Sequence, residues 1–255
     1  MEAQINKPKG VFGASTISQL LAGGTGKTRM SCILDRALDR MEMRKDFQNS
    51  AMIHGVDTEQ SAYDNRVKHI FPNSIYQSNI FIPINSECGA SPDVLWDINN
   101  VLDIKCPTLY TFVQEVHPEK AIPKSYKEQL QMQLLATKGD TAVLFYYLSR
   151  PVTWQNGDSW EQYPFESEND DHFYITIQKD EDFHEVILNA VEKAVPERNM
   201  IFDKLCESEI LEFRDFFGMV KNGKVPKKIK EAPSLEYLMK KDIFIFDMEF
   251  YYWQN

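Results

Sequence analysis

The sequence has no CxxC pair, no internal repeat and no low-complexity tract. Its apolar runs all fall short of the ~18–20 residues that a membrane span needs. The four cysteines, Cys32, Cys88, Cys106 and Cys206, are scattered. That scatter suits reduced thiols and argues against a disulfide framework, a zinc site or an iron–sulfur cluster. The opening residues, MEAQINKPKG, lack the apolar stretch of a secretory signal, so a cytoplasmic protein without membrane association is expected. Positive charge is also short: 28 Lys and Arg stand against 38 Asp and Glu, a net charge of −10. A chain this acidic lacks the overall basic character of proteins that coat nucleic acid. It leaves room for a local basic groove beside metal-binding carboxylates.

What is present is enough for one sizeable core with appendages: 255 residues, 43 % of them hydrophobic. One α/β core is expected over residues 1–200, with a helical C-terminal appendage over 201–255 that ends in the aromatic run IFIFDMEFYYWQN. So many aromatics are costly to leave in water, so core or subunit interface is the expected use of that run.

Residues 21–29, LAGGTGKTR, look at first like a phosphate-binding loop. That loop requires a glycine five residues before Gly26, where Leu21 stands, and a buried strand ahead of it. The preceding segment, Ser15–Leu21, has a helical pattern with Ser15 placed as an N-cap. A glycine-rich connection between two helices, with Thr28 capping the second, fits better than an ATP site.

Helical periodicity follows over 28–45 and 49–70. Strands are expected within SIYQSNIFIPI, at the turn-bounded GASPD region, and in NVLDIKC, TAVLFYYLSR and HFYITIQK. Helices are expected over 123–137 and 181–196. Asn156-Gly157 signals a hairpin, and the acidic ESENDD reads as an exposed loop.

The chemistry concentrates in GASPDVLWDINNVLDIKCP, residues 89–107. Asp93 sits at a proline-shaped turn, and Asp103-Ile104-Lys105 lies on a short apolar strand. Period-two geometry puts Asp103 and Lys105 on one face and turns Ile104 into the core. Two carboxylates and a lysine so disposed match the PD-(D/E)xK nuclease pattern. The carboxylates suit Mg²⁺, a hard cation that takes oxygen ligands. The cation acidifies a water and neutralises charge on a phosphate, and the ammonium orients the attacking water. Taken alone, the alternation fits equally a strand end carrying a solvated salt bridge.

The order of FGAS, LLAGGTGKTR, NSAMIHGVDTEQSAYD, GASPD, LDIKCP and IPKSYKEQLQMQLLAT, over roughly residues 10–150, resembles the lambda-type exonucleases, the YqaJ-like viral recombinase family. The resemblance implies a restriction-endonuclease-like core, a central mixed sheet flanked by helices. It makes Asp93 and Asp103 ligands of a two-metal Mg²⁺ site (with Mn²⁺ as a substitute), Asp93 being shared. The carbonyl of Ile104 is implied as a further ligand, and Lys105 as the group that activates water. Glu59 matches a helix glutamate that approaches the metal from the other side, or is a solvated helix residue. Tyr126, Gln129 and Gln131 match the family's Y-x-x-Q-x-Q. Helical geometry, however, groups Tyr126, Gln129 and Gln133 and points Gln131 about 200° away from Gln129. Ser15 and Ser91 match positions that hold a terminal 5′-phosphate, or are a cap and a turn serine.

Three departures stand out. Val94 replaces a common glycine, Asp103 stands where many relatives have glutamate, and the arginine before GAS is absent, with Lys7 and Lys9 nearby. By resemblance, the expected activity is 5′-to-3′ degradation of one strand of linear duplex DNA, leaving 3′ overhangs for a single-strand annealing partner. The implied setting is a phage or prophage protein in a bacterial cytoplasm, assembled as a trimer around DNA. The alternatives are an endonuclease or single-strand nuclease on the same fold, or an inactive nuclease fold that binds DNA or a recombinase.

Overall fold

The computed structural model describes residues 7–22, 27–43, 50–77, 80–107, 111–112, 121–148, 153–156, 159–162 and 171–207. The chain opens with β1 (Phe12–Gly13), a 3₁₀ turn (Ala14–Thr16) and α1 (Ile17–Leu20). It continues through α2 (Lys27–Arg40), α3 (Ser50–Ala62), a π turn (Tyr63–Val67) and α4 (Lys68–Ile70). Short strands β2 (Ser74–Tyr76), β3 (Ile82–Pro83), β4 (Cys88–Ala90) and β5 (Val94–Trp96) follow, then β6 (Asn100–Lys105). The remainder is α5 (Lys124–Thr137), β7 (Thr141–Tyr147), β8 (Thr153–Asn156), β9 (Ser159–Gln162), β10 (His172–Gln178) and α6 (Glu181–Glu207).

The main sheet has the order β10-β7-β6-β5-β2. Only β6 and β7 run parallel in it, and their connection contains α5, as a parallel crossover requires. Both strands are apolar without clean alternation, because both faces of the sheet are covered. On one face, Leu130 and Leu134 of α5 meet Val101, Ala142, Leu144 and Tyr146. On the other, Ala62 and Val67 meet Leu102, Ile104, Val143 and Phe145. A third cluster joins α1, α2 and α6 to a small sheet of order β1-β4-β3 and to Met132 and Ala136 of α5. Helix α5 is therefore packed on both sides, and Leu130 through Leu134 are all buried. Gly89 fits β4 because a Cβ there would fall 2.5 Å from the carbonyl oxygen of Ile82.

The mixed sheet flanked by helices is the expected class, and several local expectations need correction. Ser15 caps no helix: it lies exposed in the 3₁₀ turn, and Gly13 and Thr16 occupy the N-cap positions. Thr28 likewise falls inside α2, which starts at Lys27. Strands β8 and β9 on either side of the expected Asn156-Gly157 hairpin pair antiparallel, with Asn156 opposite Ser159, and residues 157–158 lie outside the described residues. Of the acidic ESENDD, residues 166–170 lie outside the described residues, and Asp171 is 1 % exposed instead of solvated. Arg66 holds it with Nε and Nη2, the shortest contact being 2.8 Å. Helix α6 runs on past 196 to Glu207 with Pro196 inside it, so the expected boundary at residue 200 falls within a helix. The aromatic C-terminal run lies outside the described residues. All four cysteines are free, and among the described residues no helix is long and apolar enough to cross a membrane.

Candidate active site

The site is built where β6 outruns β5. Pairing with β5 stops at Leu102 opposite Val94, whereas pairing with β7 continues through Asp103, Ile104 and Lys105. The β5-side edge of β6 is open from that point. An unpaired backbone N–H there would be costly. Instead the chain turns at Pro92, and Asp93 Oδ2 accepts the Ile104 N–H across 2.7 Å. In an extended strand a residue's N–H and C=O share one edge, so the Ile104 carbonyl points to the same opening. The Asp93 backbone is fixed in turn, its carbonyl accepting the N–H of Gln77 across 2.7 Å.

Alternation along β6 decides the rest. Ile104 enters the α3-side core, while Asp103 and Lys105 face α5. Tyr126, Gln129 and Gln133 of α5 lie on one helical face at i, i+3 and i+7. Gln129 and Gln133 both donate to Asp103 Oδ1, across 2.6 Å and 2.9 Å. Lys105 Nζ stands 2.6 Å from Asp103 Oδ2 and 5.1 Å from the centre of the Tyr126 ring. Asp103 is thus 2 % exposed and held at both oxygens. Burial alone would lower the Lys105 pKa, but the charges of Asp103 and Asp93 outweigh it and raise it. Lys105 is an ammonium throughout the physiological range.

Glu59 comes from α3, and its Oε1 accepts the Tyr76 hydroxyl across 2.8 Å. Burial raises its pKa, the Tyr76 hydrogen bond opposes that, and the charge of Asp103 adds to it. Asp93 is only half-buried as a residue, but its carboxyl is turned inward. Burial, then Asp103, then Glu59 drive its pKa well above the usual carboxylate range. The neighbouring Cys106 thiol is pushed up to about 12 by burial and by the charges of Glu59 and Asp93.

Three mutually repelling carboxylates against one ammonium form a donor set that suits a hard divalent cation. Among the described residues, no three carboxylate, histidine or cysteine side chains are already drawn tightly enough to enclose one. Asp103 is held by its amides and by Lys105 instead.

Of the residues singled out from the sequence, Asp93, Asp103, Ile104, Lys105, Glu59, Tyr126 and Gln129 come together here. Gln131 does not. It is fully buried on another side of α5, where its Nε2 donates to the Gln178 carbonyl across 2.8 Å and its Oε1 accepts the Asp180 N–H across 2.9 Å. A surface hollow of about 560 Å³ on that side, bordered by Lys127, Gln178 and Glu181, contains none of the carboxylate cluster. Gln133, not Gln131, joins Gln129 in the site, and the i, i+4 spacing from Gln129 was the signal for it. Tyr76 had no sequence signal.

Ser91 stands two residues before Asp93 on the connection from β4 to β5, and Ser15 lies in the 3₁₀ turn after β1. Strands β1 and β4 run parallel, with Gly13 opposite Gly89, so the two exposed serines follow neighbouring strand ends at the same offset. Lys7 folds back onto this end, its Nζ 2.7 Å from where a Cβ of Gly13 would be. Helix α1 precedes GGTGKT, so the strand that a phosphate-binding loop needs is not there.

The fold is shared with solved exonucleases. LHK-Exo in complex with dAMP superposes with a TM-score of 0.63 at 22 % identity, over 77 % of this chain and 92 % of that one. The alkaline exonuclease LHK-Exo from Laribacter hongkongensis gives 0.62 at 22 % identity, with the same coverage of both chains. A phage-related exonuclease from Haemophilus somnus 129PT gives 0.61 at 16 % identity, over 76 % of this chain and 96 % of that one. No curated protein matches in sequence. The YqaJ-like viral recombinase domain matches residues 6–140, more than half of the 255 residues. The chain therefore belongs to the YqaJ-like viral recombinase domain family, with the restriction-endonuclease-like fold of the alkaline exonucleases.

Proposed function

We propose that this protein is an Mg²⁺-dependent exonuclease that degrades one strand of linear duplex DNA from its 5′ end. The observation that carries this reading is the convergence of Asp93, Asp103 and Lys105 at the open edge of β6, with Glu59 facing them from α3. Asp93, Asp103, Glu59 and the Ile104 carbonyl would hold one or two divalent cations, with Mn²⁺ able to replace Mg²⁺. Such a cation supplies an acidified water and neutralises charge on the scissile phosphate. Lys105, fixed between Asp103 and the Tyr126 ring, donates hydrogen bonds to the attacking water and the phosphate oxygens as charge develops. Gln129 and Gln133 keep the Asp103 carboxylate in one orientation. Ser15 and Ser91, at neighbouring strand ends, would receive a terminal 5′-phosphate, with Lys7 in place of the absent arginine.

The product would be a 3′ overhang for a single-strand annealing protein. A homo-oligomer, a trimer by family resemblance, would give the enzyme its hold on DNA. A phage or prophage origin and a bacterial cytoplasm as the place of action complete the reading.

The test is digestion of 5′-phosphorylated linear duplex, circular duplex and single-stranded DNA in Mg²⁺ without ATP, beside Lys105→Ala. Loss of the linear duplex alone, abolished in the variant, is expected. Cutting of the circle would make the protein an endonuclease. DNA binding with no cleavage of any substrate would make it a binding module on a nuclease fold.

A further inference from the structure

Tyr76 is the last residue of β2 and lies opposite Val94, one residue from Asp93. Its hydroxyl donates to Glu59 Oε1 across 2.8 Å. The next residue, Gln77, donates its backbone N–H to the Asp93 carbonyl across 2.7 Å. Two consecutive residues therefore tether the carboxylate of Glu59 from α3 and the backbone of Asp93 in the turn before β5. Tyr76 is braced as well. Its ring lies 5.4 Å from that of Tyr63, and the Tyr63 hydroxyl donates to the Ser74 carbonyl across 2.8 Å. The brace springs from the π turn immediately after α3, so it locks the end of that helix to β2.

A glutamate side chain has several rotatable bonds and loses much freedom when ordered. Facing Asp103 and Asp93, a free Glu59 would also swing away from like charge. A neutral phenol that donates one hydrogen bond removes both tendencies without adding charge. The ring is held by packing, so the hydroxyl is presented in a fixed direction.

We propose that Tyr76 is a positioning residue for divalent-cation binding: its hydroxyl holds Glu59 beside Asp93 and Asp103 before the cation arrives. This rests on the nuclease reading, in which Glu59 is one of the cation's ligands. Ligand-orienting partners of this kind govern metal affinity, and losing one costs on the order of 10-fold.

The test is Mn²⁺ binding to the DNA-free protein, followed by the paramagnetic resonance of free Mn²⁺, for wild type, Tyr76→Phe, Glu59→Gln and the double variant. Phenylalanine keeps the packing against Tyr63, so the fold is retained. Tyr76→Phe is expected to weaken Mn²⁺ binding about 10-fold. The double variant is expected to bind no more weakly than Glu59→Gln alone, because Tyr76 acts through Glu59. Wild-type affinity in Tyr76→Phe, or a further full loss in the double variant, would overturn the proposal. Absence of saturable Mn²⁺ binding in the wild type would instead overturn the nuclease reading on which it rests.

Discussion

The carboxylate of Asp93 accepts the backbone N–H of Ile104 across 2.7 Å, at the edge of β6 that β5 has left unpaired. One bond thus stands in for a missing strand and brings a turn carboxylate beside the Asp103–Lys105 pair. The arrangement has an electrostatic cost, since burial, Asp103 and Glu59 all favour the protonated form of Asp93. Its folded pKa lies above the ordinary value of about 4, so the folded protein binds more protons than the unfolded chain between the two values. Stability therefore falls as pH rises through that window. Asp93→Asn keeps an acceptor for Ile104 and removes the cost. In EDTA, its gain in Tm over wild type is expected to grow from pH 4 to pH 8. Parallel Tm profiles for the two proteins would contradict this account.

Lys105 is the cation of the cluster and keeps about a quarter of its side chain exposed. Its replacement by methionine preserves the aliphatic stem and removes the charge. Cleavage is expected to fall by about 10²–10³, the scale for loss of one charge-stabilising donor. Affinity for duplex ends should change far less. Single-turnover rates and DNA binding measured side by side separate the two; a loss confined to binding would remove Lys105 from the chemistry.

Gln129 and Gln131 differ by two positions and have opposite expected phenotypes. Gln131→Ala leaves the Gln178 carbonyl and the Asp180 N–H without their partners, so it is expected to cost about 1–3 kcal/mol of stability. Its kcat should stay near wild type at temperatures where it is folded. Gln129→Ala frees one of two amides on Asp103 and should lower kcat with little change in Tm. Urea titration and initial rates on both variants decide the matter.

Arg66 ties the π turn to Asp171 at the start of β10. With Asp171 only 2 % exposed in its side chain and Arg66 27 %, the pair is half-sheltered. Arg66→Ala is expected to cost less than the about 3–5 kcal/mol of breaking a fully buried pair, and clearly more than a surface substitution. Chemical denaturation of both proteins measures it, and a difference within about 0.5 kcal/mol would show that the pair is energetically idle.

The sequence alone determined the strand that carries Asp103 and Lys105, because period-two alternation forces both to one face whatever surrounds them. It also determined that Asp93 sits at a turn, that GGTGKT follows a helix, and that Gln133 shares a face with Gln129, since helical phase is a local property. What it did not determine was every partner supplied from a distance. That Glu59 meets Tyr76, that Asp171 is buried against Arg66, and that α6 continues through Pro196 all depend on packing between segments far apart in the chain. Ser15 shows the limit within a single turn: the cap expected there is not made, because Ser15 lies exposed inside a 3₁₀ turn and Thr16 takes the N-cap position of the following helix. Local periodicity fixes which way a side chain points; only the close-packed interior decides what it points at.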